Sequence, residues 1–165
     1  MGRTRSPSPS RTRHPRRRKP TAAEAGVAEL TDRIADFLLD IGLAPDRAGD
    51  GPFLLRYGST VVMVQAFDAE GRPWVRIAAV VLTGFHPSLD LLLRILRLNT
   101  EVVTGAFQLL EDDTLSFSTT LPGDGLSPEA FALVLASVAR VSDDLDDELQ
   151  ALAGGHRAVD VLERG

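Results

Sequence analysis

The chain has 165 residues, a net charge of −5 and no cysteine. This length suits one domain of roughly 100 to 150 residues, and the lack of cysteine excludes disulfides, thiolate metal sites and thiol catalysis. No apolar run reaches the roughly 18 residues that a membrane-spanning helix needs, and no apolar secretory signal follows the basic start. We therefore expect a soluble, cytoplasmic protein, and the predominance of arginine over lysine indicates a bacterial genome of high GC content.

Residues 1–21 are predicted to form a disordered basic tail. Residues 1–20 hold eight of the 18 basic side chains and no acid, which leaves ten basic against 23 acidic side chains, a net charge of −13, on the remainder. The tail has no apolar residue beyond Met1 to bury against a core. One interpretation is a solvated segment, or residues upstream of the true translation start. The other is an arm that binds the phosphates of nucleic acid or another acidic surface. No aromatic residue is present to stack on bases, which favours the solvated segment.

The folded part begins with a helix and three strands. Apolar residues recur every three or four positions from Val27 to Ile41, as in an amphipathic helix, and Gly42 is placed to end it. Three segments rich in Val, Ile and aromatic residues follow, joined by short turns that contain glycine. They predict an antiparallel meander with strands at Pro52–Tyr57, Thr60–Phe67 and Arg72–Leu82.

Alternation in these strands predicts one core face and one mixed face. Val75 and Ile77 belong to the core face. The mixed face is a candidate site for an extended, partly apolar peptide, with contacts from Met63, Gln65, Trp74 and Arg76. Core packing is the competing interpretation for a lone tryptophan, and an exposed strand edge is a second route to peptide binding. The acidic body favours partner segments that also carry basic residues.

The second helix, Pro87–Asn99, is apolar almost all round, with a narrow polar stripe. Such a helix must be covered on more than one side. One interpretation is a homodimer interface, formed by Leu89, Leu92, Leu93 and Leu96. The other interpretation places the helix between the sheet and the C-terminal helix of the same chain.

A hairpin and a long helix complete the domain. The strands Val102–Leu110 and Thr114–Leu121 flank an acidic turn, and Ser127-Pro128 has the cap and first-turn proline of a helix that runs to Leu152. The acidic run Asp143–Glu148 is expected to be a solvated face of that helix. We assign residues 22–153 to one α+β domain and residues 154–165 to a flexible C-terminus.

No set of residues predicts catalysis. His14, His86 and His156 are far apart in the predicted elements, and none has metal-ligand spacing with a carboxylate. The acidic run lacks the glycine and the alternating ligands of a calcium loop. The Gly-containing segments do not match phosphate loops. We expect a protein that is not an enzyme and that has no cofactor and no metal site.

The sequence resembles the YbjN-domain family, which is similar in fold to type III secretion chaperones. Leu98-Asn99 ahead of Gly105-Ala106-Phe107, followed by the acidic turn and strand 112–117, carry the resemblance over about residues 24–152. It implies a small acidic cytoplasmic homodimer that binds peptide segments of partner proteins, or regulates through such binding, and it supplies no catalytic residues. The arginine-rich tail departs from the family pattern, so a nucleic-acid-associated protein is the alternative.

Overall fold

The structure is a computed structural model that describes residues 20–47 and 49–162. The predicted basic tail therefore lies outside the described residues, except for its last two positions. Thr21 caps the first helix, because its hydroxyl accepts from the Glu24 main-chain N–H while the Glu24 carboxylate accepts from the Thr21 N–H. The elements in chain order are α1 (Ala22–Asp40), β1 (Asp46–Arg47), β2 (Phe53–Tyr57), β3 (Thr60–Ala69), β4 (Arg72–Leu82), α2 (Leu89–Glu101), β5 (Ala106–Leu109), β6 (Leu115–Pro122), α3 (Pro128–Ala153) and α4 (Ala158–Leu162).

The strands of the described chain form a single antiparallel sheet in the order β1-β2-β3-β4-β6-β5. The meander β2-β3-β4 and the hairpin β5-β6 join because β6 pairs with β4. The connection through α2 carries the chain past β6, so β5 becomes the edge strand. This arrangement confirms the predicted α+β class and its order of elements, with the two predicted strand groups fused into one sheet.

Helices α1 and α3 pack on one face of the sheet and enclose the core. Leu30, Ile34 and Leu38 of α1 are fully buried at spacings of four, as the amphipathic pattern predicts. They meet the inward residues of the central strand, among them Val75 and Ile77. The apolar stripe of α3 covers the rest of this face, beginning at Phe131, Leu135 and Val138.

The structure differs from the sequence prediction mainly in the bounds of strand β5, in two short elements, and at the C-terminus. Strand β5 is shorter than the predicted Val102–Leu110, because the chain leaves α2 only at Val102 and turns at Gly105, where φ is +82°. The two-residue strand β1 and helix α4 were not predicted. Residues 154–162 were assigned to a flexible C-terminus. In the structure, His156 forms an antiparallel bridge with Thr83, and Val159 donates to the carbonyl of Ser59.

The acidic run of α3 is only partly solvated, which corrects the prediction for Asp143–Glu148. Asp143 accepts hydrogen bonds from the main-chain N–H and the hydroxyl of Ser59, at 2.7 and 2.8 Å. Asp146 is buried and also lies against the Ser59 hydroxyl. Gly58 makes room for these contacts, since a Cβ at that position would overlap the Asp143 carboxylate. The two carboxylates thus hold α3 against the β2–β3 turn.

The two carboxylates share one Ser59 hydroxyl. A hydroxyl donates one hydrogen, yet two carboxylates lie within hydrogen-bond distance of it. Burial raises the pKa of Asp146 and Asp147 adds to that shift, whereas the Ser59 hydrogen bond and Arg157 oppose it.

We expect the free energy of unfolding to depend on pH through Asp146. Unfolded aspartate loses its proton near pH 4, whereas the folded group, with its raised pKa, retains it to higher pH. The stabilisation is complete below the unfolded pKa and is lost as pH rises through the folded pKa. Denaturant titrations from pH 3.5 to 8 should show this loss in the wild type and not in Asp146→Asn. The exposed neighbour provides a control, Asp144→Asn, and equal pH profiles for wild type and Asp146→Asn would contradict the assignment.

Candidate functional site

The candidate site is the face of the sheet opposite α1 and α3, which we call the outer face. Side chains of β4 alternate so that Val75 and Ile77 are fully buried under the helices, while Trp74 and Arg76 lie on the other side. Register places Gln65 of β3 opposite Arg76. The four predicted peptide-contact residues, Met63, Gln65, Trp74 and Arg76, therefore share one face, and Trp74 does not belong to the buried core.

A groove of about 470 Å³ runs across the outer face. Its floor is apolar, and Ser116, Ser118 and Gln108 add hydroxyl and amide groups from the hairpin side. Arg76 is its one charged lining residue among the described residues. The apolar lining side chains come from five segments of the chain and are Leu54, Val61, Met63, Ala78, Ala79, Val80, Leu110 and Ala158.

The predicted contact residues do not all line this groove. Met63 and Arg76 do, whereas Gln65 and Trp74 lie on the same face beyond the groove. Trp74 is half-buried and stands opposite Phe67 and Pro122 in the sheet register. The guanidinium of Arg76 lies 5.0 Å from the centre of the Phe67 ring, so a cation–π contact orients it along the face.

Several groove residues were missed by the sequence prediction. Ser116 and Ser118 alternate with buried apolar residues and were predicted to face water. They lie on the outer face but are buried, at 7% and 8% exposure, because the pairing of β6 with β4 brings them beside Ala78 and Val80. Leu54 could have been predicted on the outer face from the same alternation, since it lies between buried Phe53 and Leu55. The sequence around Ala158 does not indicate a groove residue. Ala158 reaches the groove because the C-terminal segment returns to Ser59, where Val159 donates to the Ser59 carbonyl.

Strand edges offer little room for a peptide to add to the sheet. At one edge β1 has two residues, and at the other β5 has four. The side chain of Asn99 occupies the middle of the β5 edge. Its Oδ1 accepts from the Phe107 N–H at 2.7 Å and its Nδ2 donates to the Phe107 carbonyl at 3.2 Å. One amide side chain thus takes both main-chain groups of Phe107 at the centre of this edge. The remaining unpaired edge is short, residues 55–57 of β2 beyond β1 and residues 119–122 of β6 beyond β5, which favours the groove over the edge as a binding route.

Removing this amide should destabilise the fold and open the edge. Asn99→Ala leaves the N–H and the carbonyl of Phe107 without their partner, which predicts a loss of about 1–3 kcal/mol in the free energy of unfolding. Asn99→Asp keeps the acceptor for the N–H but places a carboxylate against the carbonyl, so its loss should be intermediate at neutral pH. Chemical denaturation gives both values. Amide hydrogen exchange at Phe107 should rise in Asn99→Ala, and unchanged exchange there would contradict the assignment.

Helix α2 contacts both β5 of the sheet and α3, as one interpretation predicts, yet one side of the helix remains uncovered. Leu91, Ile95 and Leu98 face the core, while the predicted interface residues Leu89, Leu92, Leu93 and Leu96 are exposed, Leu89 at 71% and Leu96 at 63%. Its polar stripe faces α3, where Arg94 Nε and Nη2 donate to the two carboxylate oxygens of Glu148 at 2.6 and 3.1 Å. This bidentate pair lowers the pKa of Glu148 and fixes which side of α2 is left uncovered.

A metal site is not formed in the described part of the chain. No group of three or more His, Cys, Asp or Glu side chains within residues 20–47 and 49–162 is arranged to hold a metal ion. No helix described there is long and apolar enough to cross a membrane.

Comparison with known families identifies the fold. The family described as type III secretion (YopN, CesT) and YbjN peptide-binding chaperone 1 matches residues 28–161. The chain belongs to this family. The resemblance read from the sequence is therefore confirmed, and the family is defined by peptide binding rather than by a reaction. A comparison with curated protein sequences gave no match.

Solved structures agree on the fold. A chain of the ExsC–ExsE complex aligns with a TM-score of 0.56 and 16% identity, covering 74% of this chain and 95% of that one. The Yersinia pestis type III secretion chaperone SycH, solved with a stable fragment of YscM2, aligns at 0.52 and 18% identity, covering 70% and 98%. A chain of the HopA1–SchA chaperone–effector complex aligns at 0.52 and 13%, covering 72% and 94%. At these identities the likeness concerns the fold alone.

Proposed function

We propose that this protein binds an extended, partly apolar peptide segment of another protein on its outer face, without catalysing a reaction. The observation that carries the proposal is the apolar groove on a sheet face that α1 and α3 leave open. Soluble monomers seldom leave a continuous apolar surface of this kind without a binding role. The hydroxyl and amide groups of Ser116, Ser118 and Gln108 would satisfy polar groups of the bound main chain.

The comparisons support a chaperone-type role. The family is described as peptide-binding, and two similar structures are complexes of a chaperone with a protein fragment or an effector. We extend this role to the present chain, with folding, secretion or regulation of the partner as its purpose. The nucleic-acid alternative depends on the arginine-rich tail, which lies outside the described residues, and no observation on the described residues favours it.

A neutral probe tests binding at the groove. The probe is a capped 12-residue peptide in which Leu alternates with Ser, and Trp74, the one tryptophan of the chain, reports on occupancy by fluorescence. Met63→Glu places a carboxylate on the groove floor and should weaken binding about tenfold, since it must be desolvated. Leu133→Glu is the matched control, because Leu133 is 73% exposed on α3.

The same titration can refute the proposal. Thermal unfolding of both variants establishes that they are folded. If the wild type shows neither a fluorescence change nor a calorimetric heat of binding with millimolar peptide, or if Met63→Glu binds as tightly as Leu133→Glu, the groove is not the binding site.

We further propose that the chain forms a homodimer through the exposed side of α2. The four leucines Leu89, Leu92, Leu93 and Leu96 form a stripe along that helix. A two-fold axis would pack this stripe against the same stripe of a second subunit and bury both stripes. None of the four leucines lines the groove, so this interface and the groove use different residues.

Sedimentation velocity tests the dimer. At about 10 µM the full chain should sediment as a dimer, and Leu92→Glu with Leu96→Glu should sediment as a monomer, because two carboxylates would be buried without partners. Leu133→Glu should remain a dimer. A wild type that is monomeric at this concentration would refute the interface.

A further inference from the structure

We propose that the groove selects peptide segments whose apolar side chains are followed by acidic side chains at one end, because Arg76 stands at that end. This inference rests on the proposed peptide binding and adds the chemistry of the partner. It reverses the preference for basic partner segments that the acidic composition suggests. The net charge belongs to the whole chain, whereas the groove is lined by residues of one face of the sheet.

Positive charge is concentrated on the outer face. Arg56, Arg72 and Arg76 occupy outward positions in β2 and β4, alternating with inward residues, and all three are exposed. No ion pair within the described part of the chain involves any of them. In contrast, the acidic side chains of α1 and α3 lie on the helix layer, and Asp46 of the edge strand β1 is the acid that shares the outward register, opposite Leu54.

Arg76 lies toward one end of the groove. It stands opposite Gln65 and Thr120, near the end of the sheet that carries the β3–β4 turn, whereas Leu110 and the acidic turn Glu111–Asp113 lie at the other end. Further charges lie near both ends without lining the groove: Asp68 and Glu70 at the β3–β4 turn, and Arg56 opposite Val61. Because Arg76 is the one charged lining residue among the described residues, acidic side chains of a bound segment are favoured beside it, and apolar ones are favoured along the rest of the groove.

Charge also decides against two other occupants. The arginine-rich residues 1–20 of the same chain would bring further arginines to Arg76. A second copy laid face to face would bring the outward arginines of two sheets together. A separate protein segment with acidic residues is the occupant that complements this face.

Three capped peptides test the inference on the full-length protein. Each has the Leu/Ser alternation of the neutral probe, and the last two polar positions are Ser, Glu or Lys. Trp74 fluorescence at 50 mM salt is the readout. The Glu peptide should bind about fivefold more tightly than the Ser peptide, because one exposed ion pair contributes a difference in affinity of this size. The Lys peptide should bind more weakly than both. The differences should disappear at 0.5 M salt, where exposed charges are screened.

Charge reversal assigns the effect to Arg76. In Arg76→Glu the order of the Glu and Lys peptides should invert, whereas Arg140→Glu, a reversal of an exposed arginine on α3, should keep the wild-type order. Arg76→Gln removes the charge and retains a polar side chain, so the three peptides should bind to it with equal affinity. This variant replaces Arg76→Glu in the test if Arg76→Glu does not fold. Equal binding of all three peptides to the wild type, or preference for Lys, would overturn the inference while leaving groove binding intact. Failure of all three to bind would overturn the proposed function itself.

Discussion

Strand β4 is paired on both edges and covered by helices on one face, and this combination organises the whole molecule. Its inward side chains must be apolar because α1 and α3 exclude water above them, and Val75, Ile77, Ala79 and Val81 are each at most 1% exposed. Since successive side chains point to opposite faces, the same strand necessarily presents Trp74, Arg76, Ala78 and Val80 on the other side. The open groove is thus a direct consequence of the way the core is built.

The two layers of the domain differ in electrostatics as well as in burial. Carboxylates dominate the helices, and some of them have structural roles. Asp143 and Asp146 hold the β2–β3 turn, and Glu148 holds Arg94 of α2. These contacts are local, and among the described residues no acid lines the groove on the outer face. Net charge therefore predicts little about a site that occupies one face.

The sequence predicted what depends on local periodicity. Alternation in β3 and β4 placed Met63, Gln65, Trp74 and Arg76 on one face, and the leucine pattern of α2 identified the four side chains that are exposed. What it could not predict depends on distant pairing. Asp146 looks like its solvated neighbours until Ser59, 87 residues earlier, is brought against it. Ala158 reaches the groove only through the bridge of His156 with Thr83. Asn99 was recognised as a family feature, but its bond to Phe107 becomes visible only once β5 is at the edge.

The Asn99 side chain has a consequence for behaviour at high concentration. A protein with an open apolar groove and a free strand edge would carry both elements needed to seed intermolecular β-sheet growth. Here the outermost strand on one side is two residues long, and on the other side the Asn99 amide occupies the N–H and the carbonyl of Phe107 at the centre of β5. Copies of the chain that accumulate with their grooves exposed therefore offer short and interrupted edges, rather than one long strand, to intermolecular sheet growth.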